Sequence, residues 1–94
     1  MSIFGALFSG VSGLFANSQA LGMIADNISN ANTPAYKETH PLFSTLVTQD
    51  PTQTTYTPGG VQSAPFTAID KQGLLQSSSS ATDLAIQGGG FFVV

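Results

Sequence analysis

The first thirty residues constrain the fold most, because they form one long apolar pattern with no charged side chain before Asp26. Within them a stripe, here named the leucine seam, repeats at alternating intervals of four and three residues. Its members are Leu7, Val11, Leu14, Ser18, Leu21, Ala25 and Ile28. This spacing is typical of a helix that packs lengthwise against another helix. The sequence therefore predicts a long N-terminal helix with a coiled-coil-like surface.

Small side chains form a second stripe on the same helix. With about 100° of rotation per residue, they fall roughly opposite the leucine seam. This small-residue stripe comprises Gly5, Ser9, Gly13, Ala16 and Ala20. A helix that is apolar or small on both sides is usually buried on both sides. We therefore expect both stripes to be assembly interfaces for different partners. The alternative is an amphipathic helix in the core of a monomeric domain.

The helix is expected to run from about residue 2 or 3 to about residue 29 or 31. Pro34 closes its far end, because a proline disfavours helical geometry in the residue before it. Asparagine tolerates left-handed backbone geometry and suits the chain reversal that must follow. The residues predicted to form this turn are Asn27, Asn30, Asn32, Pro34 and Tyr36.

The low content of charged residues narrows the class of protein. Only 7% of the 94 residues are charged, against about 25% in ordinary soluble domains. A free monomer with so few charges is poorly protected against association. The chain is therefore expected to be a subunit packed among copies of itself, part of a longer polypeptide, or both. The apolar residues 91–94 at its end also lead us to expect that the polypeptide continues.

Several classes of function are disfavoured by composition. Lys37 and Lys71 are the two basic residues, too few for a nucleic-acid surface. Cysteine is absent, and the single histidine, His40, has only Glu38 as an acidic neighbour. The five acidic residues lack the spacing of metal ligands. We expect no catalytic site, metal or cofactor, and an enzyme is the weakest interpretation.

The apolar N-terminus is not expected to be a signal peptide or a membrane segment. No basic residue precedes Lys37, whereas a secretory signal begins with a basic region. Polar residues interrupt the apolar ones too often for a membrane span, which needs about 20 predominantly apolar residues. We therefore predict no membrane insertion.

The rest of the chain predicts a linker followed by short strands, so that the fold class is α+β. We divide the chain into an axial helix over residues 1–32, a turn and extended linker over residues 33–60, and the incomplete start of a β-rich domain over residues 61–94. Residues 33–41 are expected to be irregular. The apolar run 42–48 fits either a strand or a helical turn. Residues 49–60 are predicted to form an extended or disordered loop. Candidate strands are residues 61–69, 73–76, 83–87 and 91–94, with a turn at Gly88-Gly89-Gly90.

Two blocks of motifs resemble the flagellar axial proteins of bacteria, the family of rod and hook proteins. The first block comprises Ser12-Gly13-Leu14, Asn27-Ile28-Ser29-Asn30 and Ala35-Tyr36-Lys37. The second comprises Gln72-Gly73, Asp83-Leu84-Ala85-Ile86, Gly88, Gly90, Phe91, Phe92 and Val94. Ser29 and Ala35 depart from the commoner residues of the family. At the position of Ala35 the family pattern has glycine. Within the family, residues 81–94 are most similar to the hook group. The alternative is a rod protein, the distal rod group before the proximal one.

The resemblance implies a structural subunit that forms a helical polymer with copies of itself. It also implies that the N-terminal helix pairs with a C-terminal helix of the same full-length chain to form an inner tube. Neighbouring flagellar axial proteins are the other implied partners. The family further implies export through the flagellar type III apparatus without a cleaved signal. An alternative of another class is a small β-rich binding module with an N-terminal helix.

Overall fold

A computed structural model of the chain describes residues 3–46 and 58–94. Its first element is helix α1, which spans Ile3–Ser29. Two strands follow, β1 over Thr39–Thr45 and β2 over Val61–Thr67. They pair as an antiparallel hairpin that packs along the helix. The predicted α+β class is confirmed.

Helix α1 ends where the sequence predicted. The Asn30 amide donates to the Asp26 carbonyl at 3.0 Å, as in a helix, and the Ala31 amide donates to the Ile28 carbonyl at 3.2 Å. This shift from an i−4 to an i−3 acceptor tightens the last turn before the chain leaves the helix. Pro34 lies beyond this turn, in the connection to β1.

The connection contains one backbone conformation that is unusual for its residue. Ala35 has φ 65°, in the left-handed region that costs an L-residue other than glycine roughly 1–2 kcal/mol. The resemblance to the axial proteins leads us to expect glycine at this position, and glycine would be free of strain here. Thr39 then begins β1, so the prediction that residues 33–41 are irregular is wrong for their last three residues.

The hairpin register accommodates a proline in each strand. Pro41 pairs with Pro65, and the outer bonds of the ladder join Leu46 to Gly60 and Ala68 to Glu38. Two prolines cannot exchange N–H···O bonds, so their pair must be of the non-hydrogen-bonded type. The even-numbered pairs, such as Leu42 with Ala64, therefore carry the ladder hydrogen bonds. Odd-numbered side chains share one face of the sheet and even-numbered ones the other.

Residues 42–48 were predicted to be either a strand or a helical turn. Their first four residues are a strand, because they are part of β1. Residues 47–57 lie outside the described residues, and with them most of the loop predicted over residues 49–60. The candidate strand 61–69 is confirmed as β2, ending at Thr67.

The three later candidate strands are wrong: residues 73–76, 83–87 and 91–94 have no regular secondary structure. Residues 73–87 instead form a loop closed by the Gln72 side chain, which donates to the Ile86 carbonyl at 3.2 Å and accepts from the Gly88 amide at 3.3 Å. Within the loop, the Ser78 hydroxyl donates to the Asp83 carboxylate. The predicted glycine turn is confirmed by the bend at residues 88–89 and the positive φ of Gly88 and Gly90.

Very little of this chain is buried. Among the described residues the buried ones are Ala16 and Ala68. The chain exposes 7935 Å², whereas a compact monomer of its 9.7 kDa mass exposes about 5,100 Å². Its radius of gyration is 20.5 Å, against about 12 Å for a compact domain of this length. The predicted boundary after residue 60 separates β1 from β2. The hairpin therefore joins two of the predicted domains, and the domain boundaries stay a prediction.

Candidate functional site

The small-residue stripe of α1 faces the hairpin. Ala16 on this stripe is 3% exposed, and Ser9, Gly13 and Ala20 are half-buried. The close approach of the two layers is at Ser9, because a Cβ built at Gly60 would lie 3.7 Å from the Ser9 Cα, whereas one built at Gly13 would meet nothing within 4 Å. The chain's own hairpin therefore covers part of the surface that sequence reasoning assigned to a second partner. Its role as an interface with another subunit stays a prediction.

A serine joins the helix to the start of β2. The Ser12 hydroxyl donates to the Ser9 carbonyl at 2.7 Å and accepts from the Val61 amide at 3.1 Å. Gly60, just before this amide, has φ +84°, and a Cβ there would lie 2.5 Å from the Ser12 Oγ. The position therefore requires glycine for both its backbone geometry and its space.

An asparagine joins the other end of the hairpin to the last turn of the helix. The Asn27 Nδ2 donates to the Thr39 carbonyl at 2.9 Å, and the Asn27 Oδ1 accepts from the Thr39 amide at 3.0 Å. The same Oδ1 accepts from the Tyr36 hydroxyl at 2.9 Å. Thr39 pairs with Thr67 in a non-hydrogen-bonded position, so its backbone groups point away from β2. The Asn27 amide satisfies these groups as a neighbouring strand would.

Between these two ends, the Ser63 hydroxyl donates to the Gln19 Oε1. Together with Ala16 and Val61, these residues line a shallow groove along the helix. The contact between helix and sheet is therefore narrow, and polar side chains account for much of it.

The leucine seam lies on the opposite side of α1 from the hairpin and is open to solvent. Leu14 is 72% exposed and Ile28 71%. The other large exposed apolar residues of the helix are Ile3, Phe4, Leu7, Phe8, Val11, Phe15, Leu21 and Ile24. Sequence reasoning named this seam, and the structure shows that the described part of the chain leaves it uncovered.

A second exposed apolar surface lies on the sheet, and sequence reasoning missed it. Leu42, Leu46 and Phe66 are about half exposed, and all three are even-numbered, on the sheet face away from the helix. We name them the outer hairpin face. Its signal in the sequence is a period of two, visible only once the register of β1 and β2 is known.

The predicted turn residues play different parts. Asn27 and Tyr36 are brought together, as described above. The Asn30 Nδ2 donates to the Asp26 carbonyl at 2.9 Å, and its Oδ1 accepts from the Thr33 hydroxyl at 3.0 Å. Asn32 and Pro34 are exposed in the turn.

Charged side chains meet where the connection crosses the end of the hairpin. The Lys71 ammonium donates to the Glu38 carboxylate, and the His40 Nε2 lies 3.4 Å from the same carboxylate oxygen. The Lys37 ammonium donates to the Lys71 carbonyl at 2.7 Å. The hydrogen bond from Lys71 is the main cause that holds the pKa of Glu38 below its ordinary value. In the described ranges, no group of three or more potential ligands is placed to hold a metal ion.

The comparisons with known proteins cover the whole chain. A family model described as flagella basal body rod protein matches residues 7–37. The flagellar hook protein FlgE of Caulobacter vibrioides is 50% identical over 93 residues, which are 99% of this chain and 16% of that protein. The chain belongs to the bacterial flagellar axial protein family. The FlgE proteins of Rhizobium meliloti and Brucella abortus are 44% and 45% identical over the full chain, which spans 23% and 24% of their length.

The membership confirms the resemblance to the N-terminal part of a flagellar hook protein. It places the chain in a family of structural proteins, in agreement with the prediction that it is not an enzyme. The chain spans less than a quarter of the length of the curated relatives described above. No solved structure matches it significantly. Within the described ranges, no helix combines the length and the hydropathy needed to cross a membrane.

Proposed function

We propose that this chain is the N-terminal part of a structural subunit of the bacterial flagellar hook. The subunit self-assembles into a helical tube, and the leucine seam of α1 is the surface through which it does so. The observation that carries the proposal is the exposure of this seam on a helix that has no charged side chain before Asp26. In water such a surface favours association, since burial gains about 25 cal/mol per Å² of apolar area.

The amount of exposed surface supports an obligate assembly. The chain exposes 7935 Å², about 2,800 Å² more than a compact monomer of its mass. Obligate interfaces bury roughly 2,000–5,000 Å² in total. About half of that area, roughly 1,000–2,500 Å², comes from each partner, so the excess on one chain is at least as large as one permanent contact removes from it.

The positions of the two apolar surfaces favour an open polymer over a closed dimer. The leucine seam and the outer hairpin face lie on opposite sides of a two-layer unit of helix and sheet. A contact between two different surfaces of identical subunits is heterologous, and it builds rings or helical filaments. A helical tube is one such arrangement.

The partners are copies of the same chain, a C-terminal helix of the full-length polypeptide and the neighbouring axial proteins. The seam's spacing of four and three residues supports a helical partner. The family resemblance supports export by the flagellar type III apparatus without a cleaved signal, and a location in the hook and basal body.

A rod protein is the second candidate. The match of residues 7–37 to a model described as flagella basal body rod protein favours it. The similarity of the whole chain to FlgE proteins favours the hook. The small binding module is disfavoured, because a monomeric module would cover Leu14 and its neighbours on the seam rather than expose them.

Circular dichroism combined with sedimentation tests the proposal across a dilution series. We expect the chain to associate, and to lose helix content as dilution separates the copies, because its helix depends on packing. A monomer that keeps a fully formed helix and melts cooperatively at micromolar concentration would contradict the proposal and favour the binding module.

A further inference from the structure

The helix and the hairpin are joined by hydrogen bonds to the backbone at two ends whose separations match, and the contact of the Ser63 and Gln19 side chains lies between them. Ser12 and Asn27 are 15 positions apart in the numbering, which corresponds to about 22 Å along a helix. Their partners on the sheet, Val61 and Thr39, lie at opposite ends of a hairpin with seven-residue strands. Six steps along a strand cover about 20 Å. The strands therefore run nearly along the helix axis, with one joint at each end.

These joints determine how the two layers are arranged, because the apolar contact between them is small. Ala16 is the buried residue of the helix, and it is too small to lock a crossing angle by interdigitation. Hydrogen bonds are directional and therefore fix the orientation that this narrow apolar contact leaves open.

We propose that Asn27 is a positioning residue that fixes the angle between the leucine seam and the outer hairpin face. Through that angle it determines the twist of the assembled polymer. The inference rests on the proposed function, because twist exists only if the chain polymerises. In a helical polymer every subunit repeats the same rotation, so a small change of angle in one subunit alters the whole filament.

The chemistry of the joint favours asparagine over its close relatives. Its amide is planar and offers one donor and one acceptor to the backbone of Thr39. Aspartate keeps the acceptor but replaces the donor with a charged oxygen beside the Thr39 carbonyl. The Tyr36 hydroxyl, which donates to the Asn27 Oδ1, holds the amide in the orientation that serves Thr39.

Three variants of the polymer-forming protein test the proposal. Asn27→Ala removes the joint, Asn27→Gln moves the amide outward by one methylene, and Tyr36→Phe removes only the hydrogen bond that orients it. The matched control is Asn17→Ala, because the Asn17 amide is exposed and donates to the Gly13 carbonyl of its own helix.

Hydrogen exchange on assembled filaments measures the joint itself. We expect Asn27→Ala to accelerate exchange of the Thr39 amide by about tenfold, the value of one hydrogen bond of roughly 1.4 kcal/mol. The Val61 amide, which donates to Ser12, should stay within about twofold of wild type. Equal acceleration of both amides, or of neither, would overturn the idea of a local joint.

Electron cryomicroscopy of the same filaments measures the twist. We expect Asn27→Ala and Asn27→Gln filaments to have a shifted or mixed twist, Tyr36→Phe a smaller shift, and Asn17→Ala the wild-type value. An unchanged twist in every variant that assembles would overturn the proposal. Loss of assembly in all three variants would also overturn it, because Asn27 would then be required for folding. Failure of the wild-type chain to polymerise would instead refute the proposed function.

Discussion

Pro41 lies directly opposite Pro65 in the hairpin, at a position where neither strand needs to donate a hydrogen bond. The N–H groups that proline lacks would point outward, to the two edges of the sheet. Each edge is thus blunted by a proline, while the Asn27 joint and the Ser12 joint occupy further edge positions. A two-stranded sheet protected in this way resists adding a strand from another chain. Assembly through faces rather than edges is consistent with this design.

The register predicts unequal effects for prolines at neighbouring positions. Ala64→Pro removes a ladder donor opposite Leu42 and should weaken the hairpin by about 1–3 kcal/mol. Pro65→Ala adds an edge donor and leaves the ladder intact, so it should cost no more than the roughly 0.4–1 kcal/mol that the freer unfolded chain accounts for. The cross-strand nuclear Overhauser contact between Ser44 and Gln62 measures hairpin formation. Equal effects of the two changes would show that the assigned register is incorrect.

The helix could be predicted from sequence because all the information it needs is local. The seam repeats every seven residues, and the stop signal at Pro34 lies next to the predicted end. The end at Ser29 therefore agreed with the prediction. The hairpin could not be predicted in the same way, because the residues of β1 pair with residues 16 (Thr45 with Val61) to 28 (Thr39 with Thr67) positions further along the chain.

The prediction of the three later strands was wrong for a related reason. Residues 73–76 and 83–87 have strand-like composition, but a strand forms only where its backbone groups find a partner. In the described residues, the Gln72 side chain supplies this partner for Ile86 and Gly88 and closes a loop. The candidate site, too, could be predicted only in part. The exposure of the leucine seam follows from its pattern, whereas the joint made by Asn27 needs tertiary structure to be seen.

The left-handed conformation of Ala35 predicts a stabilising substitution. Ala35→Gly relieves roughly 1–2 kcal/mol of local strain, and the extra freedom of glycine in the unfolded chain costs about 0.4–1 kcal/mol. The net gain in the free energy of unfolding should lie between zero and about 1.6 kcal/mol. Urea unfolding followed by circular dichroism measures it. The matched control is Ala31→Gly, at a residue without a positive φ, which should destabilise. A loss of stability in both variants would contradict the strain.

The contact between Glu38 and Lys71 predicts a loss of stability in acid. The pKa of Glu38 is lower in the folded chain than its ordinary value of 4.5. Its contribution to stability is therefore fully present above that value, and it is lost as pH falls through the lower, folded-state pKa. Carbon-detected titration of the Glu38 carboxyl measures the pKa directly. Lys71→Ala should raise it, since the main cause of the shift is removed.

The control for this titration is Lys37→Ala. The Lys37 ammonium contacts the Lys71 carbonyl rather than the carboxylate. This variant should therefore leave the pKa of Glu38 lowered. An identical titration curve for Glu38 in the wild type and in Lys71→Ala would show that the ion pair does not form in solution.

The leucine seam is the central element of the proposed assembly, and a charge placed on it is the most direct test. Leu14→Asp puts a carboxylate where a partner helix would bury it, at a cost of several kcal/mol per contact. Leu14→Met keeps the apolar character and nearly the volume, and should cost less than about 1.5 kcal/mol. Leu21→Asp repeats the test one heptad further along the seam.

The decisive measurement is filament formation by these variants, followed by electron microscopy and pelleting at matched protein concentration. Leu14→Asp and Leu21→Asp should be produced at wild-type levels and form no filaments, while Leu14→Met should form filaments like the wild type. Normal filaments from either aspartate variant would contradict the account, because the leucine seam could not then be the surface through which the subunits assemble.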